Sequence, residues 1–221
     1  MEPTPSRSIS GFVPALGFDL LTPLYDPLLR LTLREDEIKR RLLAQARIAA
    51  GMTVLDFGCG TGTLALLVKQ THPDAHVVGI DVDPRVLAIA RTKLEAAGVD
   101  VELRCGRIED AGLAPGSVDR VLTSLVLHHL TEDEKLSALA ALHRALGERG
   151  ELHVADFGRP HTLAMQVVSH LLQWVDGADR VGANFAGRLP ELVGRAGFTA
   201  VEERGMVTTL FGTLAFLAAR R

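Results

Sequence analysis

One stretch constrains this chain more than any other: Val54-Leu55-Asp56-Phe57-Gly58-Cys59-Gly60-Thr61-Gly62. A β-type apolar run carries a carboxylate near its end, and three closely spaced glycines follow before a helical pattern begins. Glycine lets the chain turn sharply and lets a ligand approach bare backbone. In an open parallel sheet such a turn lies at the carboxyl edge, where ligands bind.

The surrounding pattern supplies that sheet. Strand-like runs at 52–57, 76–81, 101–104, 119–124 and 151–157 alternate with helix-like stretches at 63–70, 84–97 and 132–146. Pro84 stands at a helix start, where its missing N–H costs nothing, and Gly98 follows that helix. Short apolar strands separated by helices predict a parallel sheet covered on both faces. Two further β-like runs, 199–207 and 210–218, are close enough to pair as an antiparallel hairpin. A charged amphipathic helix is expected from about Glu35 to Ala49, and a short helix from Leu189 to Gly197. Residues 1–50 are therefore read as an N-terminal helical lid segment. Residues 51–221 are read as the ligand-binding domain, with a helical insert at about 161–186.

The glycine spacing is G-x-G-x-G. A dinucleotide fingerprint would put its third glycine where Thr63 stands. A carboxylate two residues before Gly58 is poorly placed for a pyrophosphate and well suited to a cationic amino group. S-adenosylmethionine carries an ammonium and a sulfonium and no phosphate. Asp81 ends the second strand 19 residues after Gly62, near the spacing at which an acidic residue meets a ribose diol. Asp83 is either a competing partner or the N-cap before Pro84.

With these residues in register, residues 50–158 resemble the class I S-adenosylmethionine-dependent methyltransferases. Val54 to Gly62 matches the first motif, Asp81 the ribose-binding acid, and Cys105 to Asp119 the region after the third strand. Leu127-His128-His129-Leu130 is similar to a run in the small-molecule branch, closest to the ubiquinone/menaquinone-biosynthesis-like enzymes. The resemblance implies an α/β fold: a Rossmann-like seven-stranded, mostly parallel sheet with helices on both faces and a C-terminal antiparallel hairpin. It implies cofactor contacts from Asp56, Gly58, Cys59, Gly60, Thr61, Gly62 and Asp81, with Val82 against the adenine face and Ser124 near the methionine part. Arg107 departs from the pattern, standing where the family usually has an adenine-binding Asp. Arg has no acceptor. Its guanidinium either stacks on adenine or points to solvent, leaving the contact to Glu109, Asp110 or the Ile108 N–H.

His128 and His129 are the candidate proton acceptors, since neutral imidazole takes a proton near pH 7. Each has the alternative of capping or packing the helix that follows. The acceptor pocket is expected between the N-terminal segment, with Tyr25, and the insert, with Trp174, although core packing accounts for such residues equally well. A small, apolar or lipid-like acceptor fits an insert with few charges. The net charge of −3 offers no basic surplus for nucleic acid. Two cysteines, Cys59 and Cys105, indicate no disulfide framework, and no His, Cys, Asp and Glu spacing suggests a metal site. No apolar run reaches the roughly 20 residues of a membrane span, so a cytoplasmic protein with at most transient membrane contact is expected. A nicotinamide-dependent oxidoreductase on a related fold and a non-catalytic cofactor-binding protein are the alternative functions. Neither the oligomeric state nor the methylated atom is encoded in these motifs.

Overall fold

The computed structural model describes residues 35–160, 178–209 and 212–221. In chain order they form α1 (Glu35–Ala46), β1 (Thr53–Phe57), α2 (Thr63–Thr71), β2 (His76–Asp81), α3 (Pro84–Ala96) and β3 (Glu102–Cys105). Next come β4 (Val118–Ser124), α4 (Glu132–Ala145), β5 (Leu146–Phe157), α5 (Ala178–Phe185) and α6 (Leu189–Arg195). The chain closes with β6 (Thr199–Thr209) and β7 (Gly212–Arg220). One-turn 3₁₀ segments at Ile108–Asp110 and Leu127–His129 follow β3 and β4.

The strands make one seven-stranded sheet in the order β3-β2-β1-β4-β5-β7-β6. β1 lies parallel to β2 and β4, while β7 runs antiparallel to both β5 and β6. The expected mostly parallel sheet with a C-terminal hairpin is therefore what forms. Two boundaries differ from the sequence pattern. β5 already pairs at Leu146, opposite Val118, and a register irregularity separates that pair from the Arg120–Glu151 ladder. The polar residues between them mask this part of the strand in the sequence. Each hairpin strand also ends two residues later than its apolar pattern, β6 through the Thr208–Thr213 and Thr209–Gly212 pairs and β7 through the pairing of Ala219 and Arg220 with β5.

Alternating strand residues feed two cores. Leu55, Val121, Leu152, Val154 and Leu217 share one with Leu139 and Leu142 of α4 and Leu192 of α6. Val54, Leu122, Ala155 and Phe216 share the other with Leu64 and Val68 of α2. α1, within the described part of segment 1–50, buries Ile38, Leu42, Leu43 and Ala46 in that second core. Full burial of a Leu or Ile side chain contributes about 1.5–3 kcal/mol. Polar ties fix the placement of α1: Gln45 donates to the Leu217 carbonyl, Arg120 donates to the Ala46 carbonyl, and the Arg41 guanidinium lies 4.4 Å from the centre of the Phe216 ring. His153, inside β5, is pushed down to about 3 by burial and by Arg120, Arg204 and Arg47, so it is a neutral packing residue.

α4 starts on a capping box: Thr131 Oγ1 accepts from the Glu134 amide, and the Glu134 carboxylate accepts from the Thr131 amide. Thr131→Ala should cost about 1 kcal/mol, or roughly 2–4 °C in Tm for a chain of this size. Calorimetric unfolding checks this, and an unchanged Tm would show that the box contributes nothing.

Candidate functional site

The glycine turn continues the β1–β2 pairing beyond the end of β1. The amides of Gly58 and Cys59 both donate to the Ile80 carbonyl, at 2.8 and 3.0 Å, and Gly62 closes the turn on the Cys59 carbonyl at 2.9 Å. Gly58, Gly60 and Gly62 take φ values of 72°, 52° and 73°, the left-handed region that side chains disfavour. Their surroundings differ. A Cβ on Gly58 would lie 2.3 Å from a Val126 methyl, and one on Gly62 would lie 3.0 Å from the Ala90 Cβ. At Gly60 nothing lies within 4 Å. Gly58 and Gly62 are thus required by packing, whereas Gly60 presents bare backbone to open space.

Asp81 stands at the centre of this edge. Its Oδ2 accepts from the Gly60 amide at 2.8 Å and its Oδ1 from the Asp83 amide at 3.0 Å. A carboxylate offers about four lone-pair sites, so two hydroxyl donors can still be accommodated. Asp83 caps α3 through the Arg85 amide. Val82 is 49% exposed beside Asp81, an apolar surface available to a flat ring. Lys93 of α3 donates to the hydroxyls of Thr61 and Thr63, at 3.1 and 2.8 Å, turning the Thr61 side chain toward α3. Cys59 points inward against Gly79, and burial pushes its thiol up, so its backbone is the part facing the turn.

Asp56 is 2% exposed, and its Oδ2 accepts from the Ala65 amide in the first turn of α2. Burial pushes it up to about 7, with Lys39 and the Ala65 amide opposing and Asp81 reinforcing the rise. Ile108 is buried at the foot of its 3₁₀ turn. The half-exposed Arg107 side chain is drawn toward Glu109 at 3.8 Å and Glu134 of α4 at 3.6 Å. The Ser124 hydroxyl, at the end of β4, is buried and makes no hydrogen bond among the described residues.

Beyond Ser124 the chain reverses at Leu125, whose φ of 59° is strained for a bulky side chain. Its amide is held on the Ala155 carbonyl at 2.9 Å. The reversal aims the next three amides at one group, Asp156. Asp156 Oδ2 accepts from Val126, Leu127 and His128, at 3.1, 2.7 and 3.4 Å. Its Oδ1 lies 2.8 Å from His128 Nδ1 and also accepts from the Phe157 amide and Asn184 Nδ2. Burial alone would raise Asp156; the His128 charge and hydrogen bond, with the Phe157 amide, outweigh it and hold the carboxyl below its usual range. In the singly protonated form of the ring, an ionised Asp156 favours the tautomer with the proton on Nδ1 and the lone pair on Nε2. His128 is buried, edge-on to Phe157 at 4.9 Å. His129 is exposed, its ring centre 3.9 Å from that of His128.

The two histidines therefore differ: only His128 is oriented by the buried carboxylate. Asp156 and Asn184 were absent from the sequence reading. Asp156 carried the signal that singled out Asp56 and Asp81, a carboxylate at the carboxyl end of an apolar strand. Tyr25 and Trp174 lie outside the described residues. Among the described residues no cluster of three metal-ligating side chains occurs, and no helix is long and apolar enough to cross a membrane. A surface cavity of about 380 Å³ lined by Arg41, Ala44, Gln45, Arg47 and Arg204 shares no residue with this site.

Residues 54–150 match the family described as methyltransferase domain. Over 145 residues the chain is 36% identical to a demethylmenaquinone methyltransferase of Thermus thermophilus, covering 65% of each chain. Over 162 residues it is 30% identical to a ubiquinone biosynthesis O-methyltransferase of Cereibacter sphaeroides, covering 71% of this chain and 64% of that one. The chain thus spans slightly less than two thirds of these curated relatives. A methyltransferase from Aquifex aeolicus superposes with a TM-score of 0.65 at 20% identity, over 91% of this chain and 97% of that one. The magnesium protoporphyrin IX methyltransferase from Synechocystis PCC 6803, solved with S-adenosylhomocysteine (SAH), gives 0.66 at 22% identity, over 87% and 84%. At those identities the structures speak for the fold. Sequence match, strand order and glycine turn point the same way: residues 54–150 are similar to methyltransferase domains, on a fold shared with S-adenosylmethionine-dependent methyltransferases.

Proposed function

We propose that this protein transfers the methyl group of S-adenosylmethionine to a small apolar acceptor of quinol or lipid-like type, with His128 as the base for a protonated nucleophile. The observation that carries the reading is the contact between Gly58 and Val126. It sets the glycine turn directly against the turn that holds His128, at one carboxyl edge. The open space at Gly60, the spare acceptor capacity of Asp81, exposed Val82 and the Ser124 hydroxyl, unpartnered among the described residues, suit the nucleoside and amino-acid parts of the cofactor. When bound, the sulfonium supplies an activated methyl group whose leaving thioether is neutral.

The protein's own part is to hold the nucleophile in line, exclude water and accept its proton. His128 Nδ1 is committed to Asp156, which leaves Nε2 to take a proton from a phenolic or quinol hydroxyl. Relatives named for demethylmenaquinone and ubiquinone biosynthesis support an aromatic acceptor of that class. His129, exposed next to His128, is read as part of the pocket wall. Asp56 is read as the partner of the cofactor ammonium, and Arg107 as a residue of the adenine rim held by Glu134.

His128→Gln should lower kcat on a quinol acceptor by about 10²–10⁴-fold while leaving SAH affinity unchanged. Product formation and calorimetric titration check the two halves. Full activity in a folded variant would remove His128 from the chemistry, and quinols that yield no product while other nucleophiles do would replace the acceptor class.

Gly60→Val should keep the fold, at about 1–2 kcal/mol for the left-handed backbone, and lose SAH binding. Gly58→Val should be destabilised more strongly, since its side chain meets Val126. Normal SAH affinity in Gly60→Val would move the cofactor off this turn.

If Asp56 meets the ammonium, binding must shift it from near 7 toward the ionised form, releasing up to about half a proton per site at pH 7. Titration of SAH in buffers of different ionisation enthalpy reads that proton. Asp56→Asn should abolish the release; zero release by the native protein would detach Asp56 from the cofactor.

A further inference from the structure

The surface cavity between α1 and β6 lies apart from the carboxyl edge, and its lining is charged. Arg41, Arg47 and Arg204 surround it with Ala44 and Gln45, enclosing about 380 Å³. Ordinary ligand pockets run from about 300 to 1,000 Å³, so the space suits a small ligand. Three guanidinium groups at one small cavity repel one another.

Irregular backbone brings each of them there. β6 holds one residue more than β7 between the Glu203–Leu217 and Gly205–Phe216 pairs, and that extra, bulged residue is Arg204. Gly205, at φ 112°, leaves the room that the Arg41 guanidinium fills, and a Cβ there would collide with it. Arg41 is fixed by donating to the Arg204 and Met206 carbonyls, at 3.0 and 3.3 Å, with its guanidinium over the Phe216 ring. Arg47 follows the end of α1 with a φ of 46°, the left-handed region that favours glycine.

Ordinary roles for a surface arginine account for only part of this. A cation near a helix C-terminus is favourable, yet Arg120 already donates to the Ala46 carbonyl at the end of α1. Arg204 pairs with Glu202 at 2.7 Å. Arg41 gives its printed bonds to carbonyls, which carry no net charge. Arg47 makes no hydrogen bond or ion pair among the described residues. Three positive charges thus meet one paired carboxylate, Glu202.

We propose that this cavity binds a phosphate monoester, held by the guanidinium groups of Arg47 and Arg204 in the field of the fixed Arg41. A phosphate monoester carries close to two negative charges near pH 7, which matches the excess. A guanidinium fork meets two phosphate oxygens at once. Soluble phosphate esters and the head group of phosphatidic acid both present this group. The site shares no residue with the glycine turn or with His128, so it stands independently of the methyl-transfer reading.

The test is calorimetric titration of the full chain with glycerol 3-phosphate at constant ionic strength. Flotation with phosphatidylcholine vesicles, with and without phosphatidic acid, runs beside it. Arg47→Gly removes one guanidinium and relieves the left-handed backbone, so the variant keeps its fold. Its phosphate affinity should fall by about tenfold or more, with SAH affinity unchanged. Arg204→Gln should give a similar loss from the β6 side. Arg91→Gln, at an exposed position of α3, removes the same charge elsewhere and should leave phosphate binding as it is. Vesicle capture that needs phosphatidic acid and is lost in Arg47→Gly assigns the phosphate to a lipid head group. Binding of the free ester without vesicle capture assigns it to a soluble ligand. No saturable binding of either probe by the native protein overturns the proposal. So does undiminished affinity in Arg47→Gly, or an equal loss in Arg91→Gln.

Discussion

The carboxylate of Asp156 organises the turn that carries His128. An ionised carboxylate at 0% exposure is tenable only where donors replace water. Here four backbone amides, Asn184 and His128 do so. Satisfying that one charge fixes much else. It requires the amides of Val126, Leu127 and His128 to converge, which requires the reversal at Leu125, which is held by β5 through the Ala155 carbonyl. It draws α5 in through Asn184, which also donates to the Phe157 carbonyl. The strain at Leu125 is local, while the bonds that compensate it come from one strand and a helix.

The glycine-turn side is built on the same principle with a more exposed charge. Asp81 accepts amides from the glycine turn and from the start of α3 and retains acceptor capacity. Asp56, one strand over, is buried with the Ala65 amide on its Oδ2, and that poverty of donors is why burial raises it while Asp156 is held low. Three carboxylates at the carboxyl ends of three strands thus differ through the number of donors around them. The edge divides accordingly into an acid with spare acceptor capacity, a group near its titration point at neutral pH, and a carboxylate held low that orients a histidine.

Much of this was legible in the chain. The glycine spacing, Asp56 and Asp81 followed from local chemistry, because a tight turn at a strand end needs glycine whatever the rest of the protein does. Strand and helix order followed from apolar periodicity. What escaped were groups whose role depends on distant partners. Asp156 sat in His153-Val154-Ala155-Asp156-Phe157 with the strand-end signal of Asp56 and Asp81, but its donors come from residues 126–128 and 184. Lys135 occupied a helix position in line with the buried Ala138, Leu139 and Leu142, which marked it as inward-facing, yet a lysine there reads as solvated until the neighbours are known. The pair His128-His129 was visible, but which ring is oriented was not.

The sequence by itself determined the class of fold, the cofactor turn and the candidate histidines, since these depend on backbone conformations and periodicities that short segments impose on themselves. Only the tertiary structure decided which histidine has a carboxylate behind it and which glycine faces open space. Those are properties of side chains brought together across the sheet, from residues 28 apart in the His128–Asp156 pair and 56 apart in the Arg188–Glu132 pair. Burial and charge act through space, and no local pattern records the neighbour that a strand order will supply.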